Sequence, residues 1–294
     1  MTKRIPFDPT TRYMERQFKD IWKPYAFEEH RAERDAVYGP TPDAGDEELF
    51  KEPDLFIPRT RFYDAYEAIC FANYSGFVLS KMLTVNWEQC GFAQPVAIDT
   101  AYNAFMERFA KFISQKRQKL YYISVFENTL PTGYHSHILF HLPLYLKEAI
   151  EKWLMNSVVD PEGRPVCDNR IDLKTDKDSN FTAQWNRFQY MFKCIDPRLQ
   201  KREVPIHHGK TTHQIYGLTR GVAGLGEVKF QRVRIARAMN RAAQREIRYT
   251  PWWDIRYNDY PVLERYSDYE YKRGAEDRMQ AEVSRVFQSM ESPL

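Results

Sequence analysis

Two β-rich runs, LYYISVFE at 120–127 and HSHILFHLP at 135–143, flank a stretch containing Pro and Gly, NTLPTGY at 128–134. Two such runs joined by a turn-bearing loop predict an antiparallel hairpin. Alternate residues of a strand share a face. In the second run His135, His137 and His141 therefore point one way, and Ser136, Ile138 and Phe140 the other. A hairpin with two covered faces needs further strands and helices on either side of it.

The rest of the chain supplies them. Residues 61–79 carry apolar side chains at helical spacing (Phe62, Tyr66, Ile69, Cys70, Tyr74), and KMLTVNW at 81–87 reads as a strand. Asp99–Gln118 reads as a helix with an Asp cap and an apolar face of Tyr102, Phe105, Phe109, Phe112 and Ile113. Helices are expected again at 144–155 and 181–194, with a turn-rich segment and one short strand in 160–180. A basic helix is expected over 228–248 and a final helix near 275–289. The predicted fold class is α+β: a central antiparallel sheet with flanking helices. Residues 1–60 read as a polar, partly helical extension, 61–227 as the main domain, and 228–294 as a basic helix with an acidic, aromatic tail.

Composition limits what such a domain does. No run of apolar residues is long enough to span a membrane, and the N-terminus has no secretory h-region, so a cytoplasmic protein without a membrane partner is expected. The four cysteines (Cys70, Cys90, Cys167, Cys194) form no C-x-x-C pair, which argues against a zinc knuckle or a disulfide framework. The net charge of +3 is unevenly spread, with an excess of Lys and Arg in 151–248 between mildly acidic ends. That basic centre suggests an anionic partner.

Same-face histidines on one strand can converge on a divalent ion. His141 lies roughly 13 Å beyond His137 along an extended strand, too far to share an ion with His135 unless the strand bends. A third ligand is expected from the neighbouring strand, where Glu127 ends the first run and the hairpin returns it near His135. If the strand bends, His141 is the alternative. Two imidazoles and one carboxylate leave coordination positions open, as a catalytic ion requires. Downstream, Tyr190 and Lys193 in RFQYMFKCIDP are three apart and share a helix face. A phenol and an ammonium there can meet one phosphate, one as nucleophile and one as charge stabiliser. An isolated H-x-H or a lone tyrosine has a bland reading as surface or core. The order of the elements gives them weight.

That order is the strand LTVNW, then E-loop-H-S-H, then Y-M-F-K. It resembles the three-motif pattern of HUH endonucleases, in particular the rolling-circle replication initiators of plasmids and phages. The stretches SVFENTLPTGYHSHILFHLP and FQYMFKCIDP carry the likeness, which covers roughly residues 80–225. One departure is Ser136, which stands between the histidines where the class has a hydrophobic residue. The resemblance implies Mg²⁺ or Mn²⁺ held by His135, His137 and Glu127. It implies attack by Tyr190 on single-stranded or melted DNA at a replication origin, leaving a 5′-phosphotyrosine and a 3′-OH primer. Positions four away from Tyr190 are Asn186 and Cys194, so the single-tyrosine type is expected.

HHGKTTH at 207–213 is not a phosphate loop, because position 204 is Val. With no ATPase module visible, a host helicase and polymerase are the expected partners. His207, His208 and His213 read as solvated loop histidines. In the expected helix 228–248, Arg237, Arg241, Arg245 and Arg248 form one basic stripe suited to tracking phosphates. The rival readings are a non-catalytic nucleic-acid-binding protein on the same fold, and a transposase or relaxase using the same chemistry.

Overall fold

The structure, a computed structural model, describes residues 56–129, 132–166, 169–175, 181–195, 226–251 and 263–291. Residues 1–55 of the extension expected at 1–60, Cys167, His207, His208, His213 and most of the glycine-spaced segment 218–227 lie outside the described residues. Along the chain run α1 (Arg59–Tyr74), β1 (Lys81–Asn86), α2 (Pro95–Gln115), β2 (Tyr122–Thr129), β3 (Gly133–Phe140), α3 (Lys147–Leu154) and β4 (Ile171–Lys174). They are followed by α4 (Phe181–Met191), β5 (Val233–Ile235), α5 (Arg241–Glu246) and α6 (Leu263–Glu291). The five strands form one antiparallel sheet in the order β4-β1-β3-β2-β5. This is an α+β architecture, as the pattern predicts.

The hairpin forms as expected and sets the centre of the sheet. Its ladder runs from Tyr122 opposite Phe140 to Thr129 opposite Gly133, with Glu127 directly opposite His135. Gly133 sits at φ +73, and a Cβ there would run into the Glu88 carboxylate. Only glycine meets both conditions without strain.

Both faces of the sheet are covered. On one, Met82, Ile123, Val125, Leu139 and Val233 pack against α1 and α4 through Phe62, Tyr66, Ile69, Phe188 and Met191. On the other, Leu83, Val85, Phe126, Ile138 and Phe140 pack against α2 and α3. The stripe of α2, namely Ile98, Tyr102, Phe105, Phe109, Phe112 and Ile113, is buried as its spacing predicts. Trp153 of α3 stacks on Phe109 and Phe112, with ring centroids 5.4 and 4.9 Å apart. Each such aromatic contributes about 1.5–3 kcal/mol by leaving water.

Several expectations are corrected. The helix expected from an Asp99 cap begins a turn earlier, at Pro95, a residue preorganised for the first helical position. Asp99 instead ion-pairs with Arg234. The basic helix expected over 228–248 is not one helix. Within VKFQRVRI only Val233–Ile235 enter the sheet, as β5; Val228 is buried on the α2 face and Val233 on the α1 face. A 3₁₀ turn at Arg237–Met239 follows. Asn240 then caps a new, short helix by accepting from the N–H groups of Ala242 and Ala243. The four arginines therefore do not form one stripe. Arg241 and Arg245 share the short helix, Arg241 pairs with Asp64, and Arg248 lies past the helix end at φ 53.

β5, beyond residue 227, forms an edge of the sheet, and residues 51–294 form one compact unit. The final helix is also longer than the expected 275–289. Its first half docks on α1, where Gly274 lies so close to the Tyr74 carbonyl that no Cβ would fit. Tyr74 donates to Asp277 there at 2.7 Å. No helix among the described residues is long and apolar enough to cross a membrane.

Candidate metal centre and tyrosine

Three segments meet at one end of the α1/α4 face of the sheet. β3 supplies His135 and His137, β2 supplies Glu127, and the end of α4 supplies Tyr190, with Lys193 in the turn beyond it. Gln184 of α4 accepts from the Leu79 N–H at 2.7 Å, and the Ile57 N–H donates to the Cys194 carbonyl at 2.9 Å. These bonds seat α4 and its following turn against the stretches that lead into α1 and β1. Helix α4 stops at Met191, so Lys193 follows Tyr190 across a turn rather than along the expected helix to 194.

Glu127 is fully buried, and His135 and His137 nearly so. Glu127 Oε2 lies 3.3 Å from His135 Nε2, and Oε1 lies 3.6 Å from His137 Nε2. One ligating atom from each of the three residues falls within 4.8 Å of the others, and this buried group could bind a metal ion. His141, the alternative third ligand, is not part of it. β3 ends at Phe140, and His141 Nδ1 instead contacts the Val78 carbonyl at 3.0 Å, with its ring against Phe77. Ser136 points to the opposite face as expected, accepting from Trp87 Nε1 at 2.9 Å.

The second ring nitrogens decide which atoms face the centre. His135 Nδ1 lies 2.8 Å from the Gly133 carbonyl, which can only accept, so Nδ1 carries a proton and Nε2 is the ring atom turned to Glu127. His137 Nδ1 lies 2.9 Å from Thr84 Oγ1 on β1. His137 Nε2 is buried and makes no hydrogen bond. Lys193 Nζ lies 2.8 Å from Glu127 Oε2, while Glu127 Oε1 is buried without a hydrogen-bond donor. Leaving Glu127 Oε1 and His137 Nε2 without partners in a dry site is costly, and a cation satisfies both at once. The donor set therefore fits a metal ion.

The charges agree with this arrangement. Burial works to raise the Glu127 carboxyl, but the contact with His135, together with His137 and Lys193, overcomes it and brings the group down to about 2. Burial dominates at His137 and lowers it to about 3 despite Glu127, so the ring is neutral. Burial would depress Lys193, and Glu127 reverses that, leaving the ammonium above its ordinary value. Burial pushes the Cys194 thiol up to about 12, which leaves it an inert neighbour.

Tyr190 packs its ring edge-on to His137, with centroids 5.0 Å apart, and Lys193 Nζ lies 3.9 Å from the Tyr190 ring centre. Glu127, His135, His137, Tyr190 and Lys193 are thus one cluster. Arg237, Arg241, Arg245 and Arg248 are not brought together with it as a stripe. A cleft of about 650 Å³ opens on the opposite face, lined by Trp87, Phe92, Ala97 and Pro161, and holds none of these groups. The sequence pattern alone did not single out Thr84. The signal was present, because the alternation of LTVNW puts Thr84 and Asn86 on one face, but a strand's face can be tied to a site only once its register is known. Comparison with protein-family models, with curated proteins and with solved structures finds no match.

Proposed function

We propose that this chain is a single-tyrosine DNA nickase of the HUH class that starts rolling-circle replication. The observation that supports this most is the convergence, from three separate segments, of a buried Glu–His–His group with a tyrosine ring in contact with it and a lysine bridging both. Neither a structural core nor a simple binding surface requires that combination.

Glu127, His135 and His137 would hold Mg²⁺ or Mn²⁺, which when bound supplies Lewis-acid polarisation of a phosphate oxygen. The protein's own groups do the rest. The Gly133 carbonyl and Thr84 orient the two imidazoles. Tyr190 Oη attacks the phosphorus of a backbone phosphate, forming a tyrosyl ester at the 5′ side as the P–O3′ bond breaks. The departing O3′ takes a proton and becomes the primer terminus. Lys193 places a positive charge beside the phenol, where negative charge develops as the proton leaves.

The test is incubation of the full chain with a pool of single-stranded oligonucleotides and Mn²⁺, followed by denaturing gels and mass measurement. A covalent protein–DNA adduct that disappears in excess chelator is expected. Tight binding of the pool with no adduct under any divalent ion would replace nicking with non-catalytic nucleic-acid binding.

A further inference from the structure

Strand β1 lies between the histidine strand and β4, and the site described so far uses only one of its side chains. Leu83, Val85 and Trp87 belong to the α2 face, whereas Met82 belongs to the α1 face. Thr84 and Asn86 alternate with the former and so share the face of the metal group. The register sets Thr84 opposite His137 and Asn86 opposite His135. In the first of these rows the side chains touch, Thr84 Oγ1 to His137 Nδ1 at 2.9 Å. Same-face residues directly opposite on antiparallel strands have Cβ atoms about 4.5–5.5 Å apart, so the second row brings the Asn86 carboxamide beside His135.

His135 leaves that carboxamide available. Its Nδ1 is taken by the Gly133 carbonyl, and its Nε2 faces Glu127 on β2, the strand away from β1. Asn86 Oδ1 is buried and makes no hydrogen bond. It stands in the same condition as His137 Nε2: a buried acceptor at the same end of the sheet face with nothing directed at it. On the α2 face, by contrast, the buried hydroxyls of Ser124 and Ser136 both have partners.

We propose that Asn86 completes the cation site, its Oδ1 serving as a neutral oxygen ligand beside the Glu127 carboxylate and the two imidazoles. This role rests on Glu127, His135 and His137 being that site. Mg²⁺ and Mn²⁺ are hard ions that favour oxygen donors, including Asn carbonyls, and a set of two nitrogens and one carboxylate is poor in oxygen. An amide adds an oxygen without adding charge. The ion's remaining positive charge is then left for a phosphate, which a second carboxylate would have neutralised.

The experiment is a Mn²⁺ titration of the full chain followed by electron paramagnetic resonance, in which the signal of the free aqueous ion is lost on binding. His137→Ala serves as the variant without a site. Asn86→Ala is expected to weaken Mn²⁺ binding on the order of tenfold. Asn86→Asp, of nearly the same shape, is expected to tighten it by adding a charge. Unfolding of each variant in chelator confirms that it is folded. If both variants bind Mn²⁺ as the wild type does, or if the Asp variant binds more weakly, Asn86 is not a ligand and the proposal fails. A change confined to oligonucleotide affinity in chelator also overturns it and assigns Asn86 to the nucleic acid. If the wild type itself takes up no Mn²⁺, the metal role of the Glu–His–His group falls as well, which is a distinguishable outcome.

Discussion

The two faces of the sheet treat buried polar groups in opposite ways. On the α2 face Ser124 Oγ meets the Tyr102 hydroxyl at 2.5 Å, and Ser136 Oγ accepts from Trp87 Nε1. Both hydroxyls are paired within a shell of packed aromatics. On the α1 face the same two strands carry Glu127 and His137, whose Oε1 and Nε2 make no hydrogen bond. One face is built for stability, and the other keeps an unsatisfied electrostatic demand at one end. Burying polar groups without partners costs free energy, and at Glu127 and His137 the groups concerned are ones that can also ligate a metal ion.

The largest effect should come from breaking the site face. His137→Ala is expected to remove nicking altogether while the metal-free melting temperature stays close to normal. Gel assays alongside calorimetry check both halves. A large loss of metal-free stability would mean that this face is scaffold too.

Phe109→Ala makes the reverse test. This fully buried ring packs between Phe105, Phe140 and Trp153 on the other face. Its loss should cost about 3–5 kcal/mol in denaturant unfolding. Mn²⁺ affinity of the folded fraction should be unchanged. Coupled losses of stability and affinity would dissolve the distinction between the faces.

A smaller effect is expected at Thr84, which positions His137 through its second nitrogen. Thr84→Val keeps the shape and deletes the hydroxyl, and should weaken Mn²⁺ binding by about 10–100-fold. Thr84→Ser should restore most of it. Equal affinities for Val and wild type would leave Thr84 with no role in orienting the ring.

Acid sensitivity is the finest of these effects. The unfolded chain protonates His137 near 6.5, and the folded protein resists until about 3. The unfolded chain protonates Glu127 near 4.5, and the folded protein resists until about 2. In both cases the unfolded state binds more protons within the window, so stability falls as pH drops. Metal-free unfolding measured at pH 7 and pH 4 should show a loss that shrinks in His137→Asn. An equal loss in that variant would place the acid-sensitive groups elsewhere.

Much of this is legible in the sequence. The alternation HSHILF assigns both faces of β3, and the hairpin is enough to favour Glu127 over His141. The spacing from Tyr102 to Ile113 gives the buried stripe of α2. The failures share a cause. The arginines of VKFQRVRIARAMNRAAQREIR suggest a helix, although VRI forms a short strand within it and Asn240 supplies a cap in the middle. A short edge strand is decided by its neighbour in the sheet, here β2, and not by local preference. Thr84 and Asn86 are on view in LTVNW, but their partners depend on the β1–β3 register, a long-range property.

The most direct test of the central claim is to locate the covalent bond. Wild-type protein is reacted with the cleaved oligonucleotide in Mn²⁺, digested with nuclease and protease, and sequenced by mass spectrometry. A nucleotide remnant is predicted on the peptide containing RFQYMFK, at Tyr190, with no adduct from Tyr190→Phe under identical conditions. A remnant on a different tyrosine, or an undiminished adduct from Tyr190→Phe, would contradict it.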